Sequence, residues 1–312
     1  MADASSPCQI EATQDLYGIG IRTGIYCQWI ATMVAGVALP EEMVAIQTNT
    51  ICFQCAIPGA LLLATLRASI AQPEVLIVVP LAFGGFSAAQ AFGNGASLVE
   101  AGTARGASPL RALIMLQMFG FLVGYGLWFW WGGVDNVSPA ACTYYAFVFG
   151  KVMITRLRVF GIAISIFGGF CFMIAEFVFL ILPTLSCIRA GRRATAQYFT
   201  APGFLSRDKE TPRWQIWARI VVNVASVCYI IVMVEMTLAW NPTLEGANTL
   251  ESVGQLVPLI IGVAGLLRIS YSLLRKPIQA DSSISQTHSS PPGIGLVDTA
   301  QQHPGVKSTL NN

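Results

Sequence analysis

Residues 159–182, VFGIAISIFGGFCFMIAEFVFLIL, contain a single charged side chain, that of Glu176. A helix rises about 1.5 Å per residue, so a stretch of this length crosses the ~30 Å hydrocarbon core of a bilayer. Helical hydrogen bonds also satisfy the backbone N–H and C=O groups within the segment, as lipid requires. These residues therefore predict a membrane-spanning helix.

The rest of the chain repeats this pattern. Of its 312 residues, 54% are hydrophobic and 11% are charged, whereas soluble domains have about 25% charged residues. Six further apolar stretches have the length of a spanning helix: 18–39, 45–66, 73–93, 110–131, 217–239 and 253–274. The sequence predicts an all-α integral membrane protein with a bundle of about seven transmembrane helices, rather than the alternating strands of a barrel.

Small residues are frequent in these spans, and they let neighbouring helices approach closely. The glycines that predict such contacts are Gly84, Gly85, Gly120, Gly124, Gly161, Gly168 and Gly169. One segment, 138–155, is apolar but short and interrupted. It is compatible with an interfacial helix or with an eighth span.

The basic residues predict the orientation of the chain. With seven spans and the N-terminus outside, eleven Lys and Arg residues fall on the cytoplasmic side and four on the opposite side. We expect a short outer tail at 1–17, a transmembrane bundle at 18–274 and a disordered cytoplasmic tail at 275–312, which is rich in Ser, Gln, Pro and Gly. The expected location is the endoplasmic reticulum membrane, where Asn136, in Asn-Val-Ser, matches a glycosylation acceptor.

Several classes of chemistry lack the residues they need. Both histidines, His288 and His303, lie in the C-terminal tail, so histidine-ligated metal and haem sites in the membrane are not expected. The chain has no Asp-Asp pair for magnesium-diphosphate chemistry and no phosphate-binding loop of the ATPase type. A net charge of +2 gives no reason to expect a nucleic-acid partner. We therefore predict no metal and no cofactor.

Charged and polar side chains within the spans are the candidates for function, because they are costly in lipid. By helical rise, Arg22 and Glu235 each lie about 6 Å below the outer ends of their spans and can share a layer. Asp15, Tyr17, Tyr26, Glu251 and Gln255 belong at or near the same level. An inner layer contains Glu176, Asn223 and Arg268, about 9 Å from the cytoplasmic ends, and we expect Glu176 to pair with Arg268.

Each layer has two interpretations. It fixes the register of the helices, or a carboxylic acid within it donates a proton to a bound apolar substrate. Gln28 and Gln54, in mid-span, either orient an oxygen of the substrate or form hydrogen bonds between helices.

Two stretches carry a family resemblance: residues 15–29, DLYGIGIRTGIYCQW, and residues 251–259, ESVGQLVPL. They resemble small fungal multi-spanning membrane proteins that include the membrane-bound terpene cyclases of meroterpenoid pathways, of the ascochlorin, ascofuranone and macrophorin type. The resemblance implies a metal-free cyclisation. An acid protonates an epoxide or olefin of a prenylated, usually farnesylated, aromatic compound.

On this resemblance the roles are assigned as follows. Glu235 is the expected acid, and Glu176 or Glu251 is the alternative acid or base. The residues expected to bind substrate are Asp15, Tyr17, Arg22, Tyr26, Gln28, Gln54 and Gln255, while Arg268 and Asn223 form a structural polar layer. The expected partners are the lipid bilayer, a hydrophobic prenylated substrate and other enzymes of the pathway.

Two other classes of protein compete with the cyclase. A transporter of small solutes would use the two charged layers as successive stations, although the spans lack the internal repeat of many secondary transporters. A receptor-like seven-span protein is suggested by the number of spans alone.

Overall fold

The computed structural model describes residues 10–11, 13–39, 42–90, 109–137, 143–182, 184–185, 213–242, 244–250 and 252–287. Its α-helices are α1 Gln14–Tyr17, α2 Ile19–Ala38, α3 Met43–Leu66, α4 Gln72–Gln90, α5 Pro109–Trp128, α6 Val134–Asn136, α7 Arg158–Glu176, α8 Arg213–Trp240 and α9 Val253–Thr287. Four short strands are β1 Ile10–Glu11, β2 Tyr145–Phe147, β3 Lys151–Met153 and β4 Leu244–Glu245. Wider π-helical turns, Phe129–Gly133 and Phe177–Ile181, follow α5 and α7, and a 3-10 turn, Ile154–Leu157, precedes α7.

The prediction of an all-α membrane bundle is confirmed. Each of the seven predicted spans falls on one long helix of the described residues. Within the part of the chain that the structure describes, five helices are long and apolar enough to cross a membrane: Thr48–Leu66, Leu113–Asn136, Ile154–Ile181, Ile220–Trp240 and Val253–Arg275. The protein is an integral membrane protein whose apolar helices contact lipid.

Neither interpretation of segment 138–155 is correct. Its described part forms an antiparallel hairpin in which β2 pairs with β3, with Ala146 opposite Val152. Asn241 and Thr237, at the end of α8, bind the hairpin: the Tyr145 N–H donates to Asn241 Oδ1 at 3.0 Å and the Phe147 N–H to Thr237 Oγ1 at 3.1 Å. These contacts satisfy polar groups that a short apolar helix would have paired internally.

The hairpin marks one end of the bundle, called here the hairpin end. The helices α2, α4, α7 and α9 begin at this end, whereas α3, α5 and α8 end there, as alternating spans must. Residues that belong to the predicted outer tail also lie here: β1 pairs with β4, with Ile10 opposite Leu244, and α1 buries Tyr17. At the other terminus α9 is described to Thr287, while residues 288–312 of the predicted disordered tail lie outside the described residues.

The helix α4 is the centre of the bundle. It packs against α2, α3, α5 and α8, and Val75, Ile77, Val78 and Leu81 are almost fully buried. In contrast, only 6% of the most apolar part of the span Ile154–Ile181 is buried against other residues of the protein. The stretch that best predicted a membrane helix is therefore the one that presents most of its surface to lipid.

Glycines permit several of the closest contacts between helices. A Cβ atom added at Gly262 of α9 would lie 2.0 Å from the carbonyl oxygen of Gly24 in α2. Among the predicted contact glycines, Gly84 lies against Trp29, Gly85 against Gln54, Gly120 against Phe172, Gly161 against Trp130, and Gly168 and Gly169 against Val123. The prediction is wrong for Gly124, because no other helix of the described residues places an atom within 4 Å of its Cβ position.

We expect Gly262→Ala to lower the free energy of unfolding by about 1–3 kcal/mol, because the added methyl group must push two helix backbones apart. Thermal unfolding of the purified protein in detergent measures the loss. Gly124→Ala is the matched control. It adds the same methyl group to a helix with open space and should leave stability unchanged or slightly raised. Equal effects of the two substitutions would contradict the close approach of α2 and α9.

Candidate functional site

Arg22 is the centre of a polar cluster at the hairpin end, called here the Arg22 cluster. Its Nη1 donates to Glu235 Oε2 at 2.5 Å, and its Nη2 donates to Asn248 Oδ1 at 2.7 Å and to the Ala247 carbonyl at 3.3 Å. The Tyr26 hydroxyl donates to the other oxygen of Glu235 at 2.9 Å. The predicted layer shared by Arg22, Tyr26 and Glu235 is confirmed. It joins α2 to α8 and to the loop after α8.

Glu74 forms a second cluster that the sequence did not reveal, called here the Glu74 cluster. Its carboxylate is fully buried and accepts from the Thr13 N–H at 2.9 Å, the Tyr17 hydroxyl at 2.9 Å and the Ala71 N–H at 2.7 Å. Because Ala71 precedes α4 and Glu74 is its third residue, this last bond is one half of a capping box. The other two bonds hold the N-terminal segment against α4.

The electrostatic environment of the Glu74 cluster affects two tyrosines. Burial, and next the negative charge of Glu74, raises the pKa of Tyr17, so its phenol stays protonated and donates to the carboxylate. Burial and then Glu74 also raise the pKa of Tyr144, which lies just before β2. The Tyr144 hydroxyl is buried and has no partner among the described residues.

Gln255 and Asp15 connect the start of α9 to the first residues of the bundle. Gln255 is fully buried; its Oε1 accepts from the Gly20 N–H at 3.2 Å, and its Nε2 donates to Gln14 Oε1 at 3.4 Å. The Ser252 hydroxyl donates to Asp15. These residues pack protein against protein, and their assignment to substrate binding stays a prediction.

The predicted inner pair of Glu176 and Arg268 is wrong. Gln117 Nε2 donates to Glu176 Oε1 at 2.5 Å, whereas Arg268 Nη2 donates to Glu42 Oε2 at 2.7 Å. Asn223 lies half-buried on α8. The prediction failed because helical rise gives a residue's height along the bundle but does not identify the neighbouring helix, and α7 packs against α5.

Gln28 and Gln54 form hydrogen bonds between helices. Gln28 Nε2 donates to Thr50 Oγ1 at 3.5 Å, joining α2 to α3, and Gln54 Nε2 donates to the Ala82 carbonyl at 3.0 Å, joining α3 to α4. These contacts match the interpretation that Gln28 and Gln54 form hydrogen bonds between helices. Their role toward a substrate oxygen stays a prediction.

A cavity of about 380 Å³ lies between α4, α5, α7, α8 and the hairpin. This volume is within the ~300–1,000 Å³ range of small-molecule sites. Its lining is almost entirely apolar and includes six aromatic side chains, those of Phe83, Phe119, Trp130, Phe147, Phe160 and Phe167. Such a lining excludes water and offers ring faces that stabilise positive charge.

Glu235 is turned away from this cavity. Met233 and Thr237, four residues apart on α8, both line it. Glu235 is midway between them and points about 200° around the helix from Met233, where it meets Arg22. Both of its carboxylate oxygens accept hydrogen bonds, one of them from a guanidinium. This geometry fits a carboxylate that binds a cation better than it fits an acid that protonates a ligand in the cavity.

Glu176 is better placed than Glu235. Along α7 the lining ends at Cys171, and Glu176 follows about 7.5 Å further along the helix axis. Its hydrogen-bond partner, Gln117, is neutral, so protonation of Glu176 breaks no ion pair. The π-helical turn Phe177–Ile181 begins directly after it, and Trp130 of the lining belongs to the other such turn, Phe129–Gly133. Turns of this kind are frequent at functional sites.

The remaining acids are Glu251 and Glu74. Glu251, the third predicted acid, lies outside the described residues. Glu74, the second residue of the predicted span 73–93, was not predicted as a candidate. The sequence did contain a signal for its role, because Glu74 is an acid in the first turn of an otherwise uncharged span. The first N–H groups of a helix have no partner within the helix, so an acidic side chain there can accept hydrogen bonds from them.

The described residues contain no group of three or more His, Cys, Asp or Glu side chains that could hold a metal ion. No protein-family model, curated protein or solved structure matches the chain.

Proposed function

We propose that this protein is a membrane-bound, metal-free terpene cyclase that acts on a prenylated aromatic compound in fungal meroterpenoid biosynthesis. The observation that carries the proposal is the aromatic-lined cavity of about 380 Å³. An apolar cavity of about 150 Å³ binds benzene, so the present volume scales to roughly 15 carbon atoms. That is the size of a farnesyl chain, in keeping with the family resemblance.

In the proposed reaction Glu176 is the acid. Its proton passes to the epoxide oxygen or to the terminal olefin at the Cys171 end of the cavity. The resulting cation is attacked by successive double bonds of the chain, which the aromatic walls hold folded and dry. The last cation loses a proton and the Glu176 carboxylate regains one, so the acid is restored, the product is an isomer of the substrate, and no oxidant, reductant or cofactor is consumed.

The Arg22 and Glu74 clusters have a different role in this proposal. They hold the hairpin end together through α1, α2, α4, α8 and the loop after α8. Arg22 and Tyr26 then position the helices around the cavity rather than contact the substrate. Other pathway enzymes of the prenyltransferase and epoxidase classes would supply the substrate.

We further propose an endoplasmic reticulum location with the hairpin end in the lumen and the C-terminus in the cytoplasm. The distribution of Lys and Arg supports this orientation. Asn136 supports it as well, because its exposed side chain lies at the hairpin end, as a glycosylated residue requires.

The proposal is tested by incubating microsomes that contain the protein with a farnesylated phenol, with and without a terminal epoxide. We expect new products of unchanged mass and altered chromatographic retention. Cys171→Trp should abolish them by filling the cavity. Cys228→Trp is the matched control, since Cys228 is exposed on α8 and does not line the cavity. A lack of product from either substrate, or equal activity of the two variants, would refute the proposal.

A further inference from the structure

The hairpin of β2 and β3 enters the membrane beside α8. Next to the end of α8, the Asn241 side chain accepts from the Tyr145 N–H at 3.0 Å and donates to the Tyr145 carbonyl at 2.6 Å. At the tip, the Tyr229 hydroxyl donates to the Val148 carbonyl at 2.5 Å. Tyr229 lies near the middle of the apolar span Ile220–Trp240. The tip of the hairpin therefore reaches the middle of the membrane, where α8 supplies the hydrogen bonds that its backbone needs.

The cavity is closed at the hairpin end, where the protein faces water. Leu157, which lines the cavity at this end, is buried, and so are Tyr144 and Ile154 on either side of the hairpin. Arg158 Nε donates to the Trp130 carbonyl at 3.1 Å, which ties the start of α7 to the turn after α5. A ligand that arrives from water at this end meets packed protein.

The cavity is open on one side, between α7 and the edge that α8 forms with the hairpin. The helix α7 packs against α5 and α8 packs against α4, whereas the described residues show no close packing of α7 against α8. Three residues of α7 both line the cavity and are exposed on the outer surface: Phe160 (50%), Ile164 (54%) and Phe167 (69%). They form the α7 edge of this gap, called here the side opening.

We infer that the side opening is the entrance to the cavity and that the farnesyl chain of the substrate enters through it from the bilayer. This inference rests on the proposed function, which supplies the ligand. Because the hairpin tip reaches the middle of the membrane, both edges of the side opening lie within the hydrocarbon. A chain dissolved in lipid enters the cavity there without exposing its apolar surface to water.

Ile164→Ala tests the entrance. A side chain at an opening that the ligand must pass adds to the barrier in both directions. Its truncation should therefore raise the association and dissociation rate constants together, about three- to tenfold, with little change in Kd. Loss of an ordinary lining contact would raise the dissociation rate constant alone. The probe is a farnesylated phenol, and stopped-flow quenching of tryptophan fluorescence measures both rate constants on purified protein in nanodiscs.

The matched control is Ile166→Ala, the same change on the same helix at a residue that is 55% exposed and does not line the cavity. It should change neither rate constant. Ile154→Ala loosens the closed hairpin end instead and should not accelerate association.

The outcomes separate this inference from the proposed function. If the farnesylated phenol binds saturably and Ile164→Ala leaves its association rate constant unchanged, the inference is overturned and the proposed function stands. The same conclusion follows if Ile154→Ala accelerates association as much as Ile164→Ala does, because the ligand then enters from the hairpin end. If the farnesylated phenol does not bind saturably to the parent protein, both are overturned.

Discussion

Replacing Glu176 with glutamine is expected to lower the rate of cyclisation by about 10²–10⁴-fold, the usual contribution of a general acid. Glutamine has the shape of the protonated acid and can keep the hydrogen bond to Gln117, but its amide is not acidic enough to protonate the substrate. The measurement is the initial rate of product formation in microsomes, normalised to the amount of folded protein.

Glu235→Gln is the matched control, because the same change is made on the face of α8 that points away from the cavity. It weakens the contact with Arg22, so we expect a loss of stability with the rate per folded molecule reduced less than tenfold. The reverse result, an inactive Glu235→Gln variant and an active Glu176→Gln variant, would return the role of acid to Glu235. Equal activity of both variants and the parent would exclude either residue as the acid.

Glu74→Leu is expected to lower the free energy of unfolding by about 3–5 kcal/mol. The substitution leaves the Thr13 N–H, the Ala71 N–H and the Tyr17 hydroxyl without an acceptor in a buried place, and each such group costs about 1–3 kcal/mol. Thermal and denaturant unfolding in detergent measure the loss. Tyr17→Phe, which removes one of the three bonds, should cost a fraction of it.

The control for this prediction is Asp135→Asn. Asp135 pairs with Arg158 at 2.9 Å, but its side chain is 64% exposed, and exposed ion pairs contribute about 0–1 kcal/mol. We expect no measurable change. A Glu74→Leu variant as stable as the Asp135→Asn variant would show that the Glu74 hydrogen bonds do not support the bundle.

The seven helices were predictable because apolar length reports directly on lipid contact, and 159–182 shows this most clearly. The Arg22–Glu235 pair was also predictable. Both residues lie at the same depth, and few other ionisable groups are available in lipid. In these cases one quantity that can be read from the sequence, the length of an apolar stretch or the depth of a residue along its helix, is enough to predict the feature.

Other features depend on which helices are neighbours, which neither length nor depth specifies. Glu176 was assigned to Arg268, yet α7 packs against α5 and its partner is Gln117. The hairpin at 145–153 was missed because its backbone is bound by Thr237 and Asn241, which are about 90 residues away in sequence. The position of the apolar cavity was not predictable, since its lining comes from five separate elements.

The separation of Arg22 from its partners has a consequence for biogenesis. Glu235 and Asn248 are synthesised more than two hundred residues after Arg22. An arginine at the centre of a spanning helix costs about 2.5–3.5 kcal/mol on insertion scales, and Arg22, the fourth residue of α2, is nearer the end of its helix and costs less. While the ribosome is still translating the middle of the chain, α2 carries an unneutralised cation that only the later helices can accept. We therefore expect the first long helix of this protein to be among the last to settle in its final place in the membrane.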